Sequence, residues 1–337
     1  MRNDTRLQFN AYTAQVAELN GVQSVAATFA VEPTTQQRLE TRIQESSEFL
    51  TQINVIGVDE LKGQKVGLGV SGTIAGRTDT SGAARRQPRN VADLSSHDYE
   101  CAKTDFDTGI PYALLDAWSR FPDFQARLRD AIVRRQALDR LMIGFNGTSV
   151  AGTTNRTTNP LLQDVNKGWL QQYRENASPR VMKEGGKVAG KVKIGADGDY
   201  ENVDALVFDA VSQMIDPWHR KDPSLVAILG RNLVHDKYFP MVNKAQPATE
   251  KLATDIILSQ KRAGGLPLAE VPYIPDGALL ITSLKNLSIY WQRDGRRRYI
   301  KEEPEANRIA NYESSNDAYV VEDYGLGCLI ENIEIGE

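Results

Sequence analysis

The stretch from Pro122 to Phe145, PDFQARLRDAIVRRQALDRLMIGF, constrains the fold more than any other part of the chain. Its apolar residues Phe124, Leu128, Ala131, Ile132, Leu138, Leu141, Met142 and Phe145 recur at three- and four-residue steps, the period of one buried helix face. The opposite face sets Asp123 with Arg127, Asp130 with Arg134 and Arg135 with Asp139, each four residues apart. Pro122 suits the first turn, and Gly144 or Gly147 the end. The segment predicts a rod of about 35 Å at 1.5 Å per residue.

A chain of 337 residues exceeds the size at which single cores stop growing, so two lobes are expected. The apolar fraction of 41% is enough for packed cores. The net charge of −4 shows neither the basic surplus of a nucleic-acid reader nor the acidity of a disordered chain. Cys101 and Cys328 are far apart, with no C-x-x-C and no nearby His pair, which predicts reduced thiols in a cytoplasmic product. No run of about 18 apolar residues occurs, and the opening MRNDTRLQFNAYTAQVAEL is too polar for a secretory core, so no membrane address is expected.

Residues 1–50 read as helix, break, helix. Leu7, Tyr12, Val16 and Leu19 line a first face that Asn20 and Gly21 end; Pro33 with Thr34 and Thr35 starts a second helix carrying Leu39, Ile43, Phe49 and Leu50. Between them VQSVAATFAVEP is a small-residue stretch with little power to pack, a plausible site for proteolysis. From Ile53 to Lys103 short β-branched runs alternate with Gly, Ser, Thr and Asp, the signature of a hairpin. A lone two-stranded hairpin is marginal in water, so this one either folds back on a lobe or is completed by another molecule. Phe106, Ile110 and Tyr112 then alternate as in a strand. After the rod, LLQDVNKGWLQQYREN predicts a second amphipathic helix through Leu161, Leu162, Val165, Trp169, Leu170 and Tyr173. KEGGKVAGKVKIGADGDY predicts an exposed hairpin or mobile loop. Residues 201–290 read as helices around a small sheet, from NVDALVFDAVSQMID, LVAILG, RNLVHDKYFPMVN, TEKLATDIILSQKRAGG and ALLITSLKNLSIYWQ. The tail returns to β structure and needs a partner sheet, for which the strand before the rod is the candidate.

No catalytic constellation emerges. His97, His219 and His235 lack carboxylates at ligand spacing, no serine sits in a G-x-S-x-G elbow, and Glu302 with Glu303 reads as a solvated face, so no metal, cofactor or catalytic residue is expected. Gly67, Gly69 and Gly72 match G-x-G-x-x-G, but TIAGRTDTSG follows where a phosphate-binding helix is required. Two basic clusters remain: Arg85, Arg86 and Arg89 at the end of the hairpin, and Arg293, Arg296, Arg297, Arg298 and Lys301 around a D-G turn. Each can contact phosphates or meet the acidic tail residues Glu322, Asp323, Glu331 and Glu334 of another copy; with only Tyr299 interleaved as an aromatic, protein contact is favoured.

Several stretches carry a resemblance in order along the chain: RLQFNAYTAQVAELNG, VEPTTQQRLETRIQESSEFLTQIN, DFQARLRDAIVRRQALDRLMIGFNG, LQDVNKGWLQQYR, DKYFPMVNK, DIILSQKR and NYESSNDAYVVEDYGLGCLIENI. Together they resemble the major capsid proteins of P-two-like tailed phages, the peduovirus family. The likeness departs between Gly76 and Arg89 and in KEGGKVAGKVKIGADG.

The resemblance implies an α+β fold of the Hong Kong 97 capsid type. Its parts would be an N-terminal arm at 1–55, an extended E-loop hairpin at 56–103, a peripheral domain at 104–150 with the rod as its spine helix, an axial domain at 151–300, and a return to the peripheral domain at 301–337. It implies a structural, non-enzymatic protein of the virion, made in the host cytoplasm, that assembles with itself as hexamers and pentamers into an icosahedral shell. The implied partners are an internal scaffold with protease activity, a portal at one vertex and non-specifically held double-stranded DNA. Carried over, trimming of the arm falls near Phe29 and Ala30. Intersubunit contact is expected at Arg77, Arg85, Arg86, Arg89, Arg296, Arg297 and Arg298. Two other readings are a compartment shell of the same fold with enzyme cargo, and a nucleotide-binding enzyme using Gly67 to Gly72. Lys62 and Lys65 near the E-loop give no specific cross-linking signal, so noncovalent closure is expected. The arginine side of the rod would face the shell interior, toward scaffold or DNA.

Overall fold

The computed structural model describes residues 1–66, 69–70, 75–83, 85–87, 92–93, 96–119, 121, 123–235, 237 and 261–336. The N-terminal part is helix, strand, helix: α1 (Asn3–Leu19), β1 (Phe29–Ala30), α2 (Pro33–Glu45) and α3 (Glu48–Gln52). Asn20 and Gly21, the latter at φ +61°, end α1. Pro33 opens α2, whose first amides, on Thr34 and Thr35, donate to the Glu32 carboxylate. The buried face of α1 is Thr5, Phe9 and Val16, whereas Leu7 and Leu19 point outward. The small-residue stretch is not loose, because Val25, Phe29 and Val31 are all buried. Val25, and Phe29 with Val31 two residues on, anchor it.

The hairpin region holds β2 (Asn54–Val58), β3 (Lys62–Val66), β4 (Gly69–Val70), β5 (Ala92–Asp93) and β6 (Ser96–Glu100). Strand β3 pairs antiparallel with β6 from Lys62↔Glu100 to Val66↔Ser96, and β4 with β5. Next come β7 (Ala102–Asp105), β8 (Thr108–Pro111), α4 (Tyr112–Trp118) and the spine, α5 (Phe124–Asn146). The rest of the chain gives α6 (Trp169–Asn176), β9 (Val181–Met182), β10 (Val192–Ile194), α7 (Val203–Met214), β11 (Leu225–Leu229), β12 (Arg262–Ala263), β13 (Leu266–Ala269) and β14 (Leu279–Ser283). It ends with β15 (Leu287–Gln292), β16 (Arg297–Glu303), β17 (Arg308–Val321), β18 (Cys328–Ile330) and β19 (Ile333–Ile335). Of the helices expected at 231–243 and 249–265, residues 231–235 and 237 are helical, Arg262 and Ala263 form β12 instead, and 238–260 lie outside the described residues.

Strand β17 organises the larger sheet. β15 and β16 lie end to end along one of its edges, in register from Leu287↔Val321 to Glu303↔Arg308. β7 and β8 lie end to end along the other, so the tail does pair with the strand before the rod. Parallel β2 extends the sheet beyond β15, and antiparallel β1 extends it beyond β16. The second sheet runs β12-β13-β11-β14-β18-β9 and is covered by α7. Strand membership therefore cuts across the boundary expected at residue 300: β15 and β16 sit beside β17, while β18 joins β14 in the second sheet. The Gly- and Lys-rich segment is partly pinned, since β10 pairs parallel with β19 and buries Val192 and Ile194.

The main core lies between the large sheet and helices α2, α3, α5 and α6. At its centre Trp169 stands edge-on to Phe145 at 5.3 Å and to Tyr319 at 5.4 Å, and its indole N–H donates to the Ser288 carbonyl at 3.0 Å. Rings of this size contribute roughly 1.5–3 kcal/mol each through burial. The segment before Trp169 is not helical: Leu162 has φ +58°, and Gly168 packs so closely on Ile143 and Gly144 that a Cβ there would meet the Ile143 carbonyl at 2.3 Å. That close approach, which a preceding helical turn would block, explains the shorter helix.

Candidate assembly surfaces and the ion network behind them

Of the face its period predicts, the spine helix buries Leu128, Leu141, Met142 and Phe145 and half-buries Ile132 and Leu138; Val133, Ala137 and Ile143 are buried besides. It also buries Gln136 and Arg140, while Ala131 is exposed. Arg140 donates to Glu40 Oε2 at 2.5 Å, to Glu40 Oε1 at 3.2 Å, and to both carboxylate oxygens of Asp317, at 3.0 and 3.2 Å. Arg296 donates to Glu40 Oε1 at 2.6 Å, Glu313 Oε1 at 2.7 Å and Gln136 Oε1 at 2.9 Å. Gln136 in turn donates to Glu313, and Ser315 to Asp317. Burial by itself would raise the Glu40 and Glu313 carboxyls; Arg140 and Arg296 beside Glu40, and Arg296 and Arg298 beside Glu313, outweigh it and hold both below the ordinary carboxylate range. The network joins α2 to the spine and to β16 and β17.

Arg296 thus departs from the expected intersubunit role. It is 0% exposed, and its guanidinium is spent inside its own chain. Arg297 is exposed and donates to the Asp294 carbonyl, while Arg298 is half-buried and donates to Asn311 and to the Tyr12 hydroxyl. Arg77, Arg85 and Arg86 are exposed on the hairpin, with Arg85 donating to the Gly82 carbonyl; Arg89 lies outside the described residues. Nothing in the local pattern marks Glu40, Glu313 or Asp317 as a cluster; Gln136 and Arg140 were detectable as two polar side chains intruding on an apolar stripe.

The arm is fastened differently. Arg6 grips Glu302 with two bonds of 2.7 Å, and the Tyr112 hydroxyl donates to the same carboxylate at 2.7 Å. The bond from Arg6, then that from Tyr112, draw the Glu302 carboxyl down to about 2. At the start of α1 the Arg2 amide and the Thr5 hydroxyl both donate to Asp116, at 2.9 and 2.6 Å. Phe9, Val16, Val25 and Phe29 close one cluster with Ile110, Leu115, Leu128, Ile300 and Ile309. Phe29 and Ala30 themselves form β1, paired with Arg298 and Arg297.

The root of the hairpin is tied to the large sheet. Tyr99 stands edge-on to Tyr290 at 5.1 Å, and Lys65 donates to the Val321 carbonyl. Of the glycine motif, Gly67 and Gly72 lie outside the described residues, and Gly69 is in a two-residue strand. Among the described residues no group of His, Cys, Asp and Glu is arranged to hold a metal, and no helix is long and apolar enough to cross a membrane. The arginines of the spine's outer side largely face acids: Arg127 pairs with Asp123, Arg129 with Asp130, and Arg135 with Asp139. Asp130 therefore meets its neighbour Arg129 rather than Arg134. The tail acids have partners within the chain too: Glu322 accepts from Ser288 and Tyr290, Asp323 faces His219, Glu331 pairs with Arg174, and Glu334 with Lys191.

Residues 8–333 match the family model described as phage major capsid protein, P2 family. The chain is 52% identical over 344 residues to the capsid protein of Escherichia phage P2, covering 100% of this chain and 96% of that one. It is 45% identical to the major capsid protein of Serratia phage KSP20, with 100% and 99% covered. A chain of the satellite phage P4 procapsid including size determination (Sid) protein superposes with a TM-score of 0.82 at 49% identity, covering 100% of this chain and 99% of that one. The α+β architecture, with its spine helix and large curled sheet, is that of the Hong Kong 97-type capsid fold. With matches that run from end to end in sequence and in structure, the chain belongs to the P2 family of phage major capsid proteins.

Proposed function

We propose that copies of this chain close as hexamers and pentamers into the icosahedral head of a tailed phage around double-stranded DNA. The observation that carries this reading is the hairpin. Among the described residues strands β3 and β6 pair only with each other, and the segment bearing Arg77, Arg85 and Arg86 is exposed throughout its described residues. Such a ribbon is marginal by itself and gains stability by lying across a neighbour, and repeated head-to-tail contacts of this kind close into rings. Arg77, Arg85, Arg86, Arg89, Arg297 and Arg298 are the proposed intersubunit cations. An internal scaffold with protease activity shapes the precursor shell, the portal occupies one vertex, and the arm is cut near Phe29 and Ala30.

Electron microscopy of the chain co-expressed with its scaffold tests the assembly: closed shells or ring-shaped capsomers are expected, and a folded monomer under those conditions refutes it. Nucleic acid inside particles isolated from infected cells, rather than a packaged enzyme, separates a phage head from a compartment shell. For processing, shell protein from DNA-filled heads is expected to lack about the first 29 residues by intact mass.

A further inference from the structure

The proposed processing bond is buried on its Phe29 side and exposed on its Ala30 side in the folded chain. Phe29 is 7% exposed, and its neighbours Val25 and Val31 are 7% and 4% exposed. The backbone on both sides is already committed: the Val31 amide donates to the Arg296 carbonyl and the Ile300 amide to the Val25 carbonyl, both at 3.0 Å. A protease must take up several extended residues, so cutting here requires a local opening.

That opening depends on α1. The helix and β1 share one apolar cluster, in which Phe9 and Val16 are buried together with Phe29, so lifting α1 removes part of the cover that seats β1. Yet α1 buries only Thr5, Phe9 and Val16 of its 17 residues. Its polar fastening lies at Glu302, at Asp116 and Ser119, at the Tyr12–Arg298 contact and at its last residue, where the Thr35 hydroxyl donates to the Leu19 carbonyl; the Arg6 and Glu302 side chains are 46% and 30% exposed. The next helix, α2, is held instead by Glu40 in the buried network, where the paired side chains are at most 2% exposed. A weakly held segment thus adjoins a firmly held one at Val31 and Glu32.

We propose that α1 gates the Phe29–Ala30 bond. The Arg6–Glu302 and Thr5–Asp116 contacts keep the bond shut, and pulling α1 off its groove presents it while α2 and the body of the subunit stay in place. The biological role of this gate rests on the processing reading above; the gate itself is a property of the fold.

Limited proteolysis of the full chain with chymotrypsin, which cuts after aromatic residues, reads the gate through the mass of the 30–337 fragment. The Arg6→Ala chain and a Thr5→Val, Arg6→Ala chain are expected to yield that fragment about ten-fold faster than the unaltered chain, because proteolysis follows the population of the open form. Hydrogen exchange at the Val31 and Ile300 amides should quicken in parallel, with β17 unchanged. Equal rates at Phe29 in altered and unaltered chains overturn the gate. So does an unaltered chain cut there as fast as a free peptide spanning residues 24–36. Shell protein that begins at Met1 in DNA-filled heads would overturn the processing reading and leave the proteolysis result standing, so the two failures are distinguishable.

Discussion

Arg140 and Glu40 meet 2.5 Å apart in the core, each about 2% exposed and 100 residues apart in sequence. The contact is useful only as part of its network, since taking two ions out of water costs several kcal/mol apiece unless every charge finds partners. Arg140→Ala leaves Glu40 and Asp317 without their shared cation and should cost about 3–5 kcal/mol in denaturant unfolding. Arg127→Ala, which breaks an exposed pair, should leave the denaturation midpoint nearly unchanged. Because Glu40 and Glu313 are held below their ordinary value of 4.5, the network's contribution is complete above that pH and is lost as pH falls below it.

Gly144 opposes helix propensity to packing. Alanine is the better helix former by about 1 kcal/mol, yet a Cβ at Gly144 would stand 2.3 Å from Trp169 Cζ3. Overpacking of a ring wedged among Phe49, Phe145 and Tyr319 outweighs that gain. Gly144→Ala is expected to lower stability by about 1–3 kcal/mol, read as a lower thermal midpoint.

Acid should loosen the arm. The folded-state value of Glu302 is about 2, against an ordinary 4.5, so its contribution is complete above 4.5 and fades as pH falls toward 2. Asp116, drawn down by Thr5 and the Arg2 amide, acts in the same direction. A fluorophore at position 7, where Leu7 is 69% exposed, should lose anisotropy as pH falls from about 5 to about 3. In the Arg6→Ala chain the anisotropy should already be low at neutral pH.

Both thiols should be inert. Cys101 packs with Ala318 and Val320, Cys328 lies in the core of the second sheet, and burial pushes each thiol up to about 12. Alkylation by iodoacetamide near pH 8 is expected to reach neither in the folded chain and both after denaturation, as counted by mass.

The spine was legible because a long periodic segment leaves its face little choice, and the strand before it was correctly matched to the tail. What was hidden was hidden for physical reasons. Glu40, Arg140, Arg296 and Glu313 have the composition of surface charge, and only the fold brings them within bonding distance. The stretch around Phe29 and the strand at Val192–Ile194 carry too little local signal to declare themselves, since each exists by pairing with a distant strand, β16 and β19 respectively. The arginines around the D-G turn were found as a cluster, but sequence spacing could not separate the exposed Arg297 from the buried Arg296 beside it.

Strand β17 also fixes a timetable. Four strands lie along its two edges, yet it spans only Arg308 to Val321 of a chain of 337 residues. At about 5–20 residues per second, the segments that will flank it wait on the ribosome with unpaired edges for seconds to tens of seconds. A nascent chain that stops before Val321 has no finished sheet to offer, and the lattice is thereby reserved for translation products that reached their last strands.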